Sequence, residues 1–267
     1  MSINDRDLVI AAAEAGATVV RSHYGASLTR FEKVGGDFAT TADVEAEQAI
    51  LAVLYAARPD DVVMGEETGR TGTGGNGRMW LVDPLCGTLN YAVRNMLVSV
   101  NVALRTGTQV VVAAAADPFT NEVFWTDGAG SNVRRGGVDV PLVPSADSRL
   151  VDVNLDPPFP NERVFRAARL LADKGFVEQF RPRVVSTTLA VAWVAAGRRA
   201  AYVTDGHLYD SVHFAAGIAL CQAAGCVVTG IDGQSLHTGA SGLVVAADEQ
   251  THAALLTLVA NQRPRKN

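Results

Sequence analysis

Leu8, Val9, Ala12, Ala13, Val19 and Val20 recur at near-helical spacing and predict an amphipathic helix over residues 5–24. Gly35-Gly36 breaks the chain. A second helix is expected to start at Thr41–Asp43, with Asp43, Glu45 and Glu47 near its start, where the helix dipole favours acids. Its apolar face is Ile50, Leu51, Val53 and Leu54, and Pro59 follows its end. Short apolar runs at 62–64, 79–82, 97–104, 110–115 and 122–126 predict strands, with Arg105-Thr106-Gly107-Thr108 as a hairpin signal. Residues 69–77, GRTGTGGNG, read as a flexible loop. Residues 128–148 are rich in Gly, Pro and Ser and mark the expected boundary between halves 1–145 and 146–267. In the second half, 150–154, 201–203, 227–228 and 243–246 read as strands, and 161–174, 187–196, 211–224 and 248–261 as helices. The order is mixed, without a regular βαβ repeat, and predicts an α+β fold.

Composition narrows the function classes. Of 267 residues, 48% are hydrophobic and 19% charged, which suits a globular chain. Net charge is −5, and the basic residues gather only in the tail Arg263, Arg265 and Lys266, so no nucleic-acid partner is expected. Three cysteines and a charged start, MSINDRDLVI, argue for a reducing, cytoplasmic setting without a disulfide framework. No apolar run approaches the roughly 20 residues of a membrane span, so no membrane partner is expected.

Candidate chemistry lies at element ends. Gly72, Gly74 and Gly77 fit G-x-G-x-x-G, but they precede a strand instead of opening a helix, so they do not make a dinucleotide site. Glu66 and Glu67 follow a strand, Asp83 ends the next, and Asp43 and Asp210 sit near helix starts. Singly, each has a capping or turn explanation. Together with the turn Pro84-Leu85-Cys86-Gly87-Thr88, they suit a hard divalent cation, with Gly87-Thr88 as an anion site. Acids beside an anion site point to metal-assisted hydrolysis of a phosphate ester.

These motifs resemble the inositol monophosphatase family of Mg²⁺-dependent, lithium-sensitive sugar phosphatases. D-x-x-T-x-x-D is matched by Asp37, Thr40 and Asp43, and G-E-E by Gly65, Glu66 and Glu67. W-x-x-D-P-x-D-G-T-x-N-[FY] is matched by Trp80, Asp83, Pro84, Gly87, Thr88, Asn90 and Tyr91, with Cys86 at the second acid. W-D-x-x-A-G is read at Tyr209, Asp210, Ala216 and Gly217, with spacing off by one. The resemblance implies a layered αβαβα sandwich, a homodimer, a small phosphorylated substrate and Mg²⁺. It implies a first metal on Glu66, Asp83 and the Leu85 carbonyl, and a second bridging Asp83 and Asp210 beside Cys86. Glu66 and Thr88, the latter supported by Asp43, would orient the attacking water. Cys86, Gly87, Thr88 and Asp210 would line the phosphate and substrate position.

Cys86 is the main departure. It removes a hard anionic ligand, weakens the second metal position and makes Mn²⁺ or Zn²⁺ acceptable. Thr204 or Asp205 stands near the family's sugar-binding Glu, and Ala223-Ala224-Gly225-Cys226 replaces E-A-G-G, so the polyol pocket is open. Inositol 1-phosphate or a similar polyol phosphate is the expected substrate. A 3′-phosphoadenylate nucleotide, histidinol phosphate or fructose bisphosphate are alternatives, as is a weakened binding homologue. His207 and His213 lie near Asp210, within reach of substrate or metal, but a lone histidine near a helix start is more often structural, so both are left out of the expected site.

Overall fold

The computed structural model describes residues 3–33, 37–74, 77–155, 167–206, 208, 211–236 and 242–262. His207, Tyr209, Asp210, the basic tail and part of the helix expected over 161–174 lie outside the described residues. The first half runs α1 (Asp5–His23), β1 (Arg30–Glu32), β2 (Phe38–Thr40), α2 (Thr41–Ala57), β3 (Val62–Gly65), β4 (Gly69–Thr71), β5 (Arg78–Cys86), α3 (Thr88–Ala92), β6 (Ser99–Thr106), β7 (Gln109–Asp117), β8 (Glu122–Thr126), β9 (Ser131–Arg135) and β10 (Val138–Pro141). There follow β11 (Leu150–Val153), α4 (Ala167–Leu171), α5 (Lys174–Gln179), β12 (Arg181–Val184), α6 (Leu189–Ala195), β13 (Ala201–Thr204), α7 (Ala215–Ala223), β14 (Val227–Thr229), β15 (Leu243–Ala246) and α8 (Glu249–Asn261).

The chain forms two compact units. The first comprises the chain up to Pro141, Thr187–Leu189 and the segment that ends in α7. Among the described residues its main sheet runs β10-β9-β8-β7-β6-β5-β3-β4, antiparallel except for β3 beside β5. Local chemistry starts its helices. Asn4 accepts from the Asp7 N–H to cap α1, and Thr40 with Asp43 makes a reciprocal capping box on α2. Strand alternation then sorts side chains to two faces. Trp80, Val82, Val100 and Val102 meet α1 and α2 through Leu8, Val9, Ile50 and Leu54. Leu81, Ala103 and Ala113 meet Ala216 and Ala219 of α7 on the opposite face. Trp80 is fully buried, and its indole N–H is satisfied by Asp61 at 2.9 Å.

The second unit holds a five-stranded sheet, β12-β11-β13-β15-β14, with β11 parallel to both neighbours. Its core packs Val151, Val153, Val203 and Val244 against Leu170, Phe176, Leu255 and Val259.

The sequence reading did not anticipate β1, β2, α3 or α5. Three further segments differ from it. Gly69–Thr71, expected as loop, pairs antiparallel with β3. The Gly-rich stretch 128–148 contains the β9–β10 hairpin, turned at Gly136-Gly137 with both residues at positive φ. Arg181–Val184 forms an edge strand that its charges conceal from a hydrophobic pattern. Each owes its state to pairing with a neighbouring strand, which a local window does not register.

Candidate active site

Glu66 is positioned by a glycine with a steric purpose. A Cβ on Gly65 would lie 2.5 Å from the Glu47 carboxylate. Glu47 is buried and accepts the N–H groups of Glu67 at 2.9 Å and Thr68 at 2.8 Å. This clamp holds the backbone that carries Glu66 and Glu67. Gly65→Ala is expected to cost about 2 kcal/mol of stability through overpacking and to lower activity in proportion to the displaced Glu66. Urea denaturation beside a rate assay checks both.

Asp43 does more than cap α2. Its Oδ2 accepts the Thr40 N–H at 2.8 Å and the Thr40 hydroxyl at 2.6 Å. Its Oδ1 accepts the Thr88 hydroxyl at 2.8 Å. Burial pushes the Asp43 carboxyl upward, and these hydrogen bonds oppose that rise. The Thr88 proton is thus directed to Asp43, which leaves Thr88 Oγ1 with lone pairs to accept another donor. Thr88 begins α3 because Gly87 turns the chain at φ 102°, a conformation that L side chains rarely adopt.

The Asp83–Cys86 step contains a β-bulge. Asp83 pairs with Asn101 and Cys86 with Ser99, so two residues of β5, Pro84 and Leu85, oppose one of β6. In a regular strand, residues three apart face opposite ways. The extra residue restores parity and brings Cys86 to the Asp83 side. Pro84 fits here because a bulge tolerates a missing N–H.

Asp83 lies on the α7 face, where His213 reaches it. His213 Nδ1 donates to the fully buried Asp83 Oδ2 at 2.8 Å and stands 3.9 Å from Glu66 Oε2. Lys33 bridges Glu66 at 3.0 Å and Glu67 at 2.7 Å. Burial, and then the Asp83 charge, push Glu66 well above the usual carboxyl range. Burial would raise Asp83 too, but the His213 imidazolium and hydrogen bonds from Glu66 and Cys86 hold it low. His213 is disfavoured as a cation by burial, yet Asp83 keeps it well above the ordinary histidine value. Burial and the Asp83 charge push the Cys86 thiol up to about 11, the opposite of an activated nucleophile. Among the described residues, ligand atoms of Asp83, Cys86 and His213 lie within 4.8 Å of one another.

The comparisons with known proteins agree with one another. The model of the inositol monophosphatase family matches residues 5–263. The chain belongs to the inositol monophosphatase family. It is 32% identical over 231 residues to an inositol-1-monophosphatase of Caulobacter vibrioides, covering 84% of this chain and 88% of that one. It is 28% identical over 244 residues to Nus factor SuhB of Vibrio cholerae, covering 88% and 89%. An inositol monophosphatase structure from Thermotoga maritima superposes with a TM-score of 0.79 at 21% identity, over 96% of each chain. The layered α+β fold is therefore the one found in inositol monophosphatases.

Glu66, Asp83, Cys86, Thr88 and Asp43 cluster around the β5 bulge. Asp210 lies outside the described residues. His213, left out of the expected site, is part of the cluster. A signal for it existed: D-x-x-A-G counted back from Ala216-Gly217 puts its acid position at His213, whereas Asp210 misses that position by three residues, not one. Thr204 and Asp205 are buried in the second unit. Tested against Mg²⁺, the donors divide. Glu66, Asp83 and the Leu85 carbonyl are hard oxygens that fit it, while the Cys86 thiol and His213 imidazole do not. No described helix is long and apolar enough to cross a membrane.

Proposed function

We propose that this member of the inositol monophosphatase family hydrolyses a small polyol phosphate, with inositol 1-phosphate the first substrate to test. The observation that carries the reading is the Thr88–Asp43 hydrogen bond of 2.8 Å beside the Glu66 and Asp83 carboxyls. Similarity to the Caulobacter inositol-1-monophosphatase supports the substrate class. Glu66, Asp83 and the Leu85 carbonyl would hold a Mg²⁺. Such an ion supplies positive charge to phosphate oxygens and acidifies nearby water.

The chain's own groups supply the rest. Thr88, its proton directed to Asp43, accepts a hydrogen bond from the attacking water and aims it at phosphorus. Glu66 orients the same water from the other side. The first turn of α3, with no side-chain cap at Gly87, offers N–H groups to phosphate oxygens. Attack in line with the leaving oxygen needs only this positioning and charge.

Thr88→Ala is expected to lower kcat by about 10²–10³-fold with little change in KM, and Thr88→Ser to keep most of the rate. The test of the function is phosphate release under Mg²⁺ titration from inositol 1-phosphate, a 3′-phosphoadenylate nucleotide, histidinol phosphate and fructose bisphosphate. Release from none of them, at any cation concentration, rejects hydrolysis. It favours the second reading, a weakened binding homologue, which Cys86 in the metal turn supports. A homodimer is part of the proposal, checked by light scattering. Exclusion of nucleic acid is not, because relatives carry the name Nus factor SuhB.

A further inference from the structure

We propose that Asp83, Cys86 and His213 form a site for a borderline-soft divalent cation, Zn²⁺ foremost, in place of a second Mg²⁺. Mg²⁺ requires near-octahedral oxygen ligands. Zn²⁺ accepts thiolate, imidazole and carboxylate, and three protein ligands leave its fourth position open to water or substrate. The three ligand atoms lie within 4.8 Å of one another. A tetrahedral zinc site has ligand separations of roughly 3.3–3.8 Å, so a side-chain adjustment of about 1 Å assembles it.

The second observation is what stands behind the sulfur. The Ser99 hydroxyl donates to Asn101 Oδ1 at 3.1 Å. The Asn101 amide donates to Thr188 Oγ1 at 2.9 Å. Thr188 therefore directs its proton onward, to the Cys86 sulfur. Ser99, Asn101 and Thr188 are all buried. Every donor in this relay points toward the sulfur, an arrangement that fixes the direction of its lone pairs and resembles the outer shell that orients metal ligands elsewhere. Binding would release the Cys86 thiol proton and the extra His213 proton to solvent.

The proposal deepens the phosphatase reading and rests on it only for its consequence for turnover. The test uses the full chain after chelator treatment. Titrated Co²⁺ is expected to give tetrahedral visible bands and a thiolate-to-metal charge-transfer band. The latter should vanish in Cys86→Ser, with Cys221 and Cys226 retained as internal controls. Zn²⁺ should displace Co²⁺ at one equivalent, and His213→Ala should weaken Zn²⁺ by about 100-fold. Thr188→Val, at a positioning residue, should keep the charge-transfer band and weaken Zn²⁺ about tenfold. An oxygen-only Co²⁺ spectrum, or iodoacetamide labelling of Cys86 at the same rate with and without Zn²⁺, overturns the site. If Cys86→Ser does not fold by circular dichroism, the labelling result on the unaltered chain decides. Phosphate release is read separately. Zn²⁺ bound without release from any substrate rejects the phosphatase reading and leaves the site, whereas Mg²⁺-driven release without Zn²⁺ or Co²⁺ binding rejects the site alone.

Discussion

Asp83→Asn is expected to lower phosphate release by about a thousandfold or more while leaving the chain folded. Asp83 is fully buried and meets His213, Glu66, Cys86 and the Leu85 N–H. The amide keeps the volume but loses the charge that holds the His213 imidazolium. Removing one partner of a buried pair costs about 3 kcal/mol, a cost that neutralisation of His213 would reduce. The rate loss should exceed what lower stability explains, because the carboxylate proposed to hold the cation and the hydrogen-bond partner of Glu66 are lost at once. Rates measured well below the Tm of both proteins separate these effects. An Asp83→Asn enzyme with more than a tenth of the parent rate would remove Asp83 from the reaction.

The double replacement Cys86→Asp, His213→Asp is expected to convert the cation requirement to Mg²⁺. Two charges at about 4 Å interact by about 4 kcal/mol at an effective dielectric of 20. Even a third of that strengthens cation binding about tenfold, so the half-saturating Mg²⁺ concentration should fall by at least that factor. Cys86→Asp alone should gain less, since His213 still presents nitrogen and competes for Asp83 at 2.8 Å. The measurement is phosphate release against Mg²⁺ concentration for the parent, both single variants and the double. If Cys86→Asp alone reaches the double's Mg²⁺ response, His213 has no part in the cation site.

Both predictions turn on residues whose roles were legible to different degrees. Thr40, Asp43, Glu66, Asp83 and Thr88 lie in motifs with short, fixed spacing, and each sits at an element boundary that local signals mark. His213 stands at the acid position of D-x-x-A-G, but an imidazole there does not match the motif's residue type, the nearby Asp210 offered that type at the wrong distance, and the contact with Asp83 spans 130 residues. The β9–β10 hairpin and β12 were hidden for a related reason: polar, Gly-flanked strands form only because a neighbour supplies hydrogen bonds.

By itself the sequence determined family membership, helices starting near residue 5 and at Thr41–Asp43, a turn at Gly87-Thr88 and the presence of a thiol between Asp83 and that turn. These depend on capping, steric permission and spacing over a few residues. Only the tertiary structure decided that the thiol faces Asp83, that an imidazole joins them, and that Ser99, Asn101 and Thr188 direct a proton toward the sulfur. A one-residue bulge sets the first of these by changing which way Cys86 points. The others follow from long-range packing of β5 against β6 and of the α7 segment onto the sheet, contacts that no local pattern encodes.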